Sequence, residues 1–216
     1  MQHRPRTYTR VVERELILRN VVCAAPISPS AFGIEAFAER LKMGAPDDQV
    51  IVGDLALNEW AHARLQLTPE QAQLGFKKDA SADFVRDAVA DFLSRRDELR
   101  AEAAIGFNAG LLLTLGDGDA DPSKNVVNAD SIATALGAKG GGRGGLTVIY
   151  NDDHSRWWIE LSPQPAEDQT WTFDLNRHFV DFPPVGEGRD SVIGWFAEVE
   201  GDLGERFETI CSGADK

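Results

Sequence analysis

Apolar residues recur at three- and four-residue steps in two long stretches of the chain. In the first, Phe84, Val85, Ala88, Val89, Phe92 and Leu99 alternate with Arg86, Asp87, Arg95, Arg96 and Glu98. That spacing predicts a helix over residues 82–103 with one apolar face, opened by Ser81 as its cap. In the second, Val192, Trp195, Phe196, Val199, Leu203, Phe207 and Ile210 stand against Glu198, Asp202, Glu205 and Glu208, which predicts a helix over 191–211. Phe84, Phe92, Trp195, Phe196, Leu203 and Phe207 are the expected core of these two helices. A shorter helix follows Ser28 or Ser30 as cap, with Phe32, Phe37 and Leu41 on one side and Gly44 and Pro46 at its end. Thr68-Pro69-Glu70-Gln71 reads as another helix start, with a capping hydroxyl, a proline in the first turn and an amide at the third position. Residues 54–67 fit strand or helix, with helix favoured near Trp60, and 128–136 suits a short helix capped by Asn128 or Asp130.

Period-two patterns mark the strands. Residues 11–24 mix β-branched side chains with alternating charge, and 49–52 is a short β-rich run. Residues 107–115 are apolar enough for a strand buried on both faces, or buried on one face and crossed by a neighbour. The runs 146–150, 156–161 and 171–179 are short, β-branched or aromatic and separated by turn residues, so they read as a three-stranded antiparallel meander. From Phe107 onward the order is β-α-β-β-β-α. The expected fold class is α+β, an antiparallel sheet with helices packed on one face, to which the first strand adds. A single α+β domain spans 1–216, with two intertwined halves, 8–103 and 104–212, as the alternative. Each half opens with a strand and then a helix, but the two stretches share no residue motif, which favours coincidence over duplication.

Charge narrows the function. Lys and Arg number 22 against 35 Asp and Glu, a net charge of −13, so direct backbone binding to nucleic acid is not expected. Cys23 and Cys211 are too few for a disulfide scaffold, which fits a reducing cytoplasm. No apolar run approaches the ~20 residues that cross a bilayer. Arg4, Arg6 and Arg10 precede a charged segment rather than an apolar signal region. The expectation is a cytoplasmic protein with no membrane association.

Candidate chemistry is sparse. His3, His62, His154 and His178 have no ligand spacing, and neither His-Glu-x-x-His nor Cys-x-x-Cys occurs, so no metal site and no cofactor is expected. Asp117, Asp119 and Asp121 resemble the opening of a calcium loop, but Pro122 replaces the turn glycine and Asn128 the closing glutamate. A solvated acidic loop with at most weak cation binding is the better reading. The glycine run 138–145 around Arg143 leads from helix to strand, the reverse of a phosphate loop, and reads as a flexible connector.

Two clusters remain. Strand alternation puts Asp174, Asn176 and His178 on one face and Leu175, Arg177 and Phe179 on the other. A carboxylate, an amide and an imidazole in a row are catalytic candidates, with Asp174 fixing the His178 tautomer and Asp152 and Asp153 adding from the adjacent turn. Trp157 and Trp158 are adjacent, so one ring faces away from the core. With Trp171 and Arg177 they form the expected binding residues of an exposed aromatic patch. The favoured function is a non-enzymatic regulatory or accessory protein of bacterial type, such as an immunity protein or accessory subunit. It would bind a basic protein partner through its acidic surface and that patch, and homo-oligomer formation stays open. The alternative is a hydrolase-like or small-ligand-binding enzyme domain using Asp174, Asn176 and His178.

Overall fold

The computed structural model describes residues 11–99, 104–116, 145–152, 154–164 and 170–212, excepting the side chains of 208–212. The acidic loop at Asp117, Asp119 and Asp121, the helix expected over 128–136, all of the glycine run but Gly145, Asp153 and the side chains of Ile210 and Cys211 lie outside the described residues.

The elements run β1 (Val11–Cys23), α1 (Pro29–Phe32), α2 (Ile34–Arg40), β2 (Asp48–Val52), β3 (Leu55–Glu59), β4 (Ala63–Leu67), β5 (Ala72–Phe76), α3 (Ala82–Glu98), β6 (Ile105–Leu115), β7 (Leu146–Asn151), β8 (Arg156–Pro163), β9 (Thr170–Phe179), α4 (Glu187–Ala197) and α5 (Val199–Ser212). All nine strands form one sheet in the order β2-β3-β4-β5-β1-β6-β9-β8-β7, and every pairing is antiparallel. The fold is α+β, as the patterning predicts.

The wiring repeats about the sheet centre. After β1 and its helices, the meander β2–β5 returns its last strand to β1, and α3 then packs on the sheet. After β6, the meander β7–β9 returns its last strand to β6, and α4 and α5 follow on the same face. The two halves join along the long β1–β6 ladder. The resemblance between the halves therefore runs beyond their openings to the returning strand and the closing helix. It leaves no shared motif because burial on one sheet face constrains polarity and volume more than residue identity.

Three elements differ from the sequence patterning. Residues 54–67 form two strands, because Ala56 and Asn58, then Ala63, Leu65 and Leu67, are buried at period two. Trp60 N–H donates to the Ala63 carbonyl (2.8 Å) at the turn between them. Thr68 begins no helix. Its Oγ1 accepts from the Gln71 and Glu70 N–H groups (3.0 and 3.3 Å), and Thr68 N–H donates back to the Gln71 carbonyl (2.9 Å). The bond that caps a helix here closes a turn leading into β5. The first helix breaks at Gly33, whose φ of 69° lies in the left-handed region. A Cβ there would stand 3.2 Å from Arg95 Nη1, which donates to the Phe32 carbonyl (2.9 Å). The last helix begins earlier than its pattern, at Glu187, and is divided at Glu198.

The core lies between the helices and one sheet face, in two clusters. The larger joins Phe32, Phe37 and Phe92 to Leu65, Leu74, Phe107, Phe179 and Phe196. The smaller seats α5, through Val199, Leu203 and Phe207, on Leu111, Leu113, Phe173 and Trp157. Phe92, Phe196, Leu203 and Phe207 are fully buried as expected, whereas Phe84 and Trp195 are partly buried at the margin of these clusters.

Candidate binding surface

The other sheet face has no helix on it among the described residues, and strand register assigns its side chains. On β9 the buried positions Trp171, Phe173, Leu175 and Phe179 point to the helices, so Thr172, Asp174, Asn176 and His178 point to the open face. Pairing carries this parity outward. Trp158 on β8 faces Asn176 and Glu160 faces Asp174, Ile149 on β7 faces Trp158, and Asn108 and Gly110 on β6 face Asn176 and Asp174. On β1, Asn20 faces Asn108 and Leu18 faces Gly110.

Two rows thus cross the middle of the open face. One is an asparagine ladder: Asn176 Nδ2 donates to Asn108 Oδ1, and Asn108 Nδ2 donates to Asn20 Oδ1 (2.7 Å). It ends at Trp158, which is 48% exposed. The other runs Leu18, Gly110, Asp174, Glu160. A Cβ on Gly110 would lie 2.5 Å from Asp174 Oδ1, so this mid-strand glycine makes room for the carboxylate that leans over it. Asp174 accepts no hydrogen bond among the described residues, while Glu160 accepts one from Ser162 Oγ (3.0 Å). Burial first, and the facing Glu160 second, push the Asp174 carboxyl above its ordinary pKa.

The expected catalytic row shares a face but does not converge. Asp174 and His178 are four residues apart on a strand, about 13 Å along it, too far for the carboxylate to fix an imidazole tautomer. Asn176 is engaged in the ladder. His178 sits opposite Arg156. Asp152 is committed elsewhere, to Ser155 Oγ (2.7 Å), Trp157 Nε1 (2.8 Å) and the N–H groups of His154 and Ser155 (2.9 and 2.5 Å). Burial opposes its charge, but these donors outweigh burial and hold the carboxyl far below the usual carboxylate range. Cavities of about 460, 400 and 320 Å³ occur near α2 and α3, beside α1, and at the α4–α5 junction, and none is lined by Asp174, Asn176 or His178.

The expected aromatic patch is also redistributed. One of the adjacent tryptophans faces out, as alternation requires, and it is Trp158. Trp157 and Trp171 are 5% and 1% exposed and lie in the core under the helices, so neither contributes to an exposed surface. Arg177 shares their face. Its guanidinium stacks on Trp157, Phe179 and Trp195 with centroids at 4.4, 4.8 and 5.3 Å, and it donates to Ser155 Oγ (3.0 Å). It therefore braces the β7–β8 turn against α4. Sequence reasoning missed Glu160, Asn108, Asn20 and Gly110. The one local signal was the alternation Gly106, Asn108, Gly110 within an otherwise apolar strand.

No family model matches the chain, and no curated protein matches it. Among solved structures it is similar to the crystal structure of the di-domain ARO/CYC StfQ from the steffimycin biosynthetic pathway, at 8% identity over 91% of this chain and 98% of that one, with a TM-score of 0.22. At that score the likeness carries no argument about fold or function.

Proposed function

We propose that the chain is a non-enzymatic, cytoplasmic protein-binding module of bacterial type, a regulatory or accessory subunit, that docks a basic protein on the open face of its sheet. The observation that carries this reading is Trp158, a large indole left half in solvent beside the exposed Ile149 that faces it on β7, with exposed Leu18 farther across the same sheet face on β1. An exposed indole with an apolar surround is the usual make-up of a protein contact centre. Register places Glu13, Glu160 and Asp174 on the same face, together with Glu15, which is paired with Lys78 (3.0 Å), against Arg156 and Arg64; the acidic excess favours a cationic partner and disfavours nucleic acid. The enzyme reading is weaker, because Asp174 and His178 stand too far apart to cooperate.

The test is a pull-down from native extract with the wild type and with Trp158→Ala, each checked for an unchanged melting temperature. A protein retained by the wild type, lost with Trp158→Ala and released as salt screens charge over a Debye length of ~8 Å supports the reading. Equal retention by both proteins, or catalytic turnover abolished by His178→Ala with the fold intact, overturns it.

A further inference from the structure

Glu160 and Asp174 stand directly opposite each other on β8 and β9. Like charges in that position destabilise an antiparallel pair, and among the described residues no cation pairs with this one. Arg156 is four residues along β8 from Glu160, about 13 Å away, and sits opposite His178. Arg177 is on the covered face, stacked among aromatic rings. From β6, Asp174 is met by Gly110, which carries no side chain, and from β1 by Leu18 and Ile17, whose side chains come within 3.4 and 3.5 Å of where a Gly110 Cβ would be. From β7, Thr147 lies opposite Glu160.

The surroundings distinguish this pair from an ordinary solvated acidic surface. Two residues from Glu160 on the same face stands the exposed ring of Trp158, and across Gly110 stand the exposed side chains of Leu18 and Ile17. The open face thus brings together two facing carboxylates, apolar side chains on β1 beyond Gly110, and an indole two residues along β8. A lysine or arginine side chain fits these features together: its methylene stem lies on Leu18 and Ile17, its cation meets the carboxylates, and the indole face attracts the same charge.

We propose that Glu160, Asp174 and Trp158 form a socket for one lysine or arginine side chain of the protein that docks on the open face. The inference rests on the docking role proposed above and names what that face recognises. It makes opposite predictions for stability and binding. If the carboxylates had a structural role, removing either would lower the melting temperature. As a socket left empty in the free protein, the repelling pair costs stability, so Glu160→Gln and Asp174→Asn raise the melting temperature while weakening cation binding. The Asp174 carboxyl, raised above its ordinary pKa by burial and by Glu160, carries a penalty that is present at neutral pH and is relieved as pH falls through its folded-state value. The Asp174→Asn gain therefore shrinks on acidification.

The experiment uses the full chain and two probes, N-acetyl-lysine methylamide and its side-chain-acetylated form, which is neutral. The readouts are the Trp158 indole N–H and the Asp174 carboxyl carbon in NMR. Expected are saturable shifts at both with the charged probe, absence of shifts with the neutral one, and binding about tenfold weaker in each carboxylate variant. Absence of saturable shifts with the charged probe, equal shifts with both probes, or a melting temperature lowered in both variants overturns the socket. If the socket fails while Trp158→Ala still releases a protein partner, the docking role stands without it. If the probe binds as expected but no partner depends on Trp158, the docking role falls and the site is a cation socket alone.

Discussion

Replacing Phe107 by alanine tests whether the two halves of the molecule share one core. Phe107 belongs to β6, in the second half, yet its fully buried ring lies in the cluster that also holds Phe32, Phe92 and Leu74 of the first half. It packs edge-on against Phe196 and Phe179 with centroids at 5.1 and 5.9 Å, and tilted against Phe182 at 5.6 Å. Deleting a buried phenylalanine costs about 3–5 kcal/mol through lost transfer energy and the cavity left behind. Aromatic pairs add roughly 0.5–1.5 kcal/mol beyond area, so with three ring partners the loss is expected in the upper part of that range, about 4–5 kcal/mol. Urea unfolding followed in parallel by tryptophan fluorescence and far-ultraviolet circular dichroism measures it. With a slope of about 3 kcal/mol per molar the midpoint falls by roughly 1.5 M, the two probes stay coincident and the slope is unchanged. A loss below about 2 kcal/mol, or two separate transitions of which only one moves, would refute the shared core.

Phe92→Ala, in the same cluster, is expected to lose about 3–5 kcal/mol in the same assay; a loss under about 1 kcal/mol means the α3 face is misassigned. Trp157→Ala and Trp158→Ala form a contrasting pair: the first is expected to cost several kcal/mol because the ring is buried, the second to stay within about 0.5 kcal/mol because it is exposed, and equal losses in a melting experiment would count against the facing assigned to them. Asp152 is held below its ordinary value of 3.8 by its donors, so its contribution to stability is full above that pH and fades as the solution is acidified through and below it. The melting-temperature gap between wild type and Asp152→Asn should accordingly narrow with falling pH; a gap that widens reverses the sign. Cys23 is buried, and burial raises its thiol pKa, so a thiol reagent is expected to modify it only after unfolding; rapid labelling of Cys23 in the native protein, located by peptide mapping, speaks against that.

Much of the fold is legible where the pattern is long. The stripe from Val85 to Phe92, the apolar run of β6 and the alternation on β9 each span enough residues for one periodicity to dominate. Residues 54–67 were ambiguous because each strand is five residues long, too short to separate period two from period 3.6. Thr68 misleads because the same hydroxyl-to-amide bond serves a cap and a turn. The candidate surface is only half legible, for a related reason. Alternation within β8 sends one of Trp157 and Trp158 outward but does not say which. Opposition of Glu160 and Asp174 depends on a register between two strands, which local pattern does not carry.

The β1–β6 ladder sets a schedule for synthesis. β1 leaves the ribosome well before β6, so Cys23 waits for Ile105 and Val11 for Leu115. At about 5–20 residues per second the delay is on the order of ten seconds, during which one edge of the strand is open to other nascent chains. β1 is irregular at two places, between Val11 and Glu13 and between Leu16 and Leu18. Its charged residues Glu13, Arg14, Glu15 and Arg19 are distributed along the same stretch. Kinks and charges are what keep a waiting edge from pairing with a stranger. In ribosome-bound chains, β1 is expected to be cut by protease until β6 has cleared the exit tunnel and to be protected afterwards; protection acquired earlier would mean that β5 alone suffices to hold it.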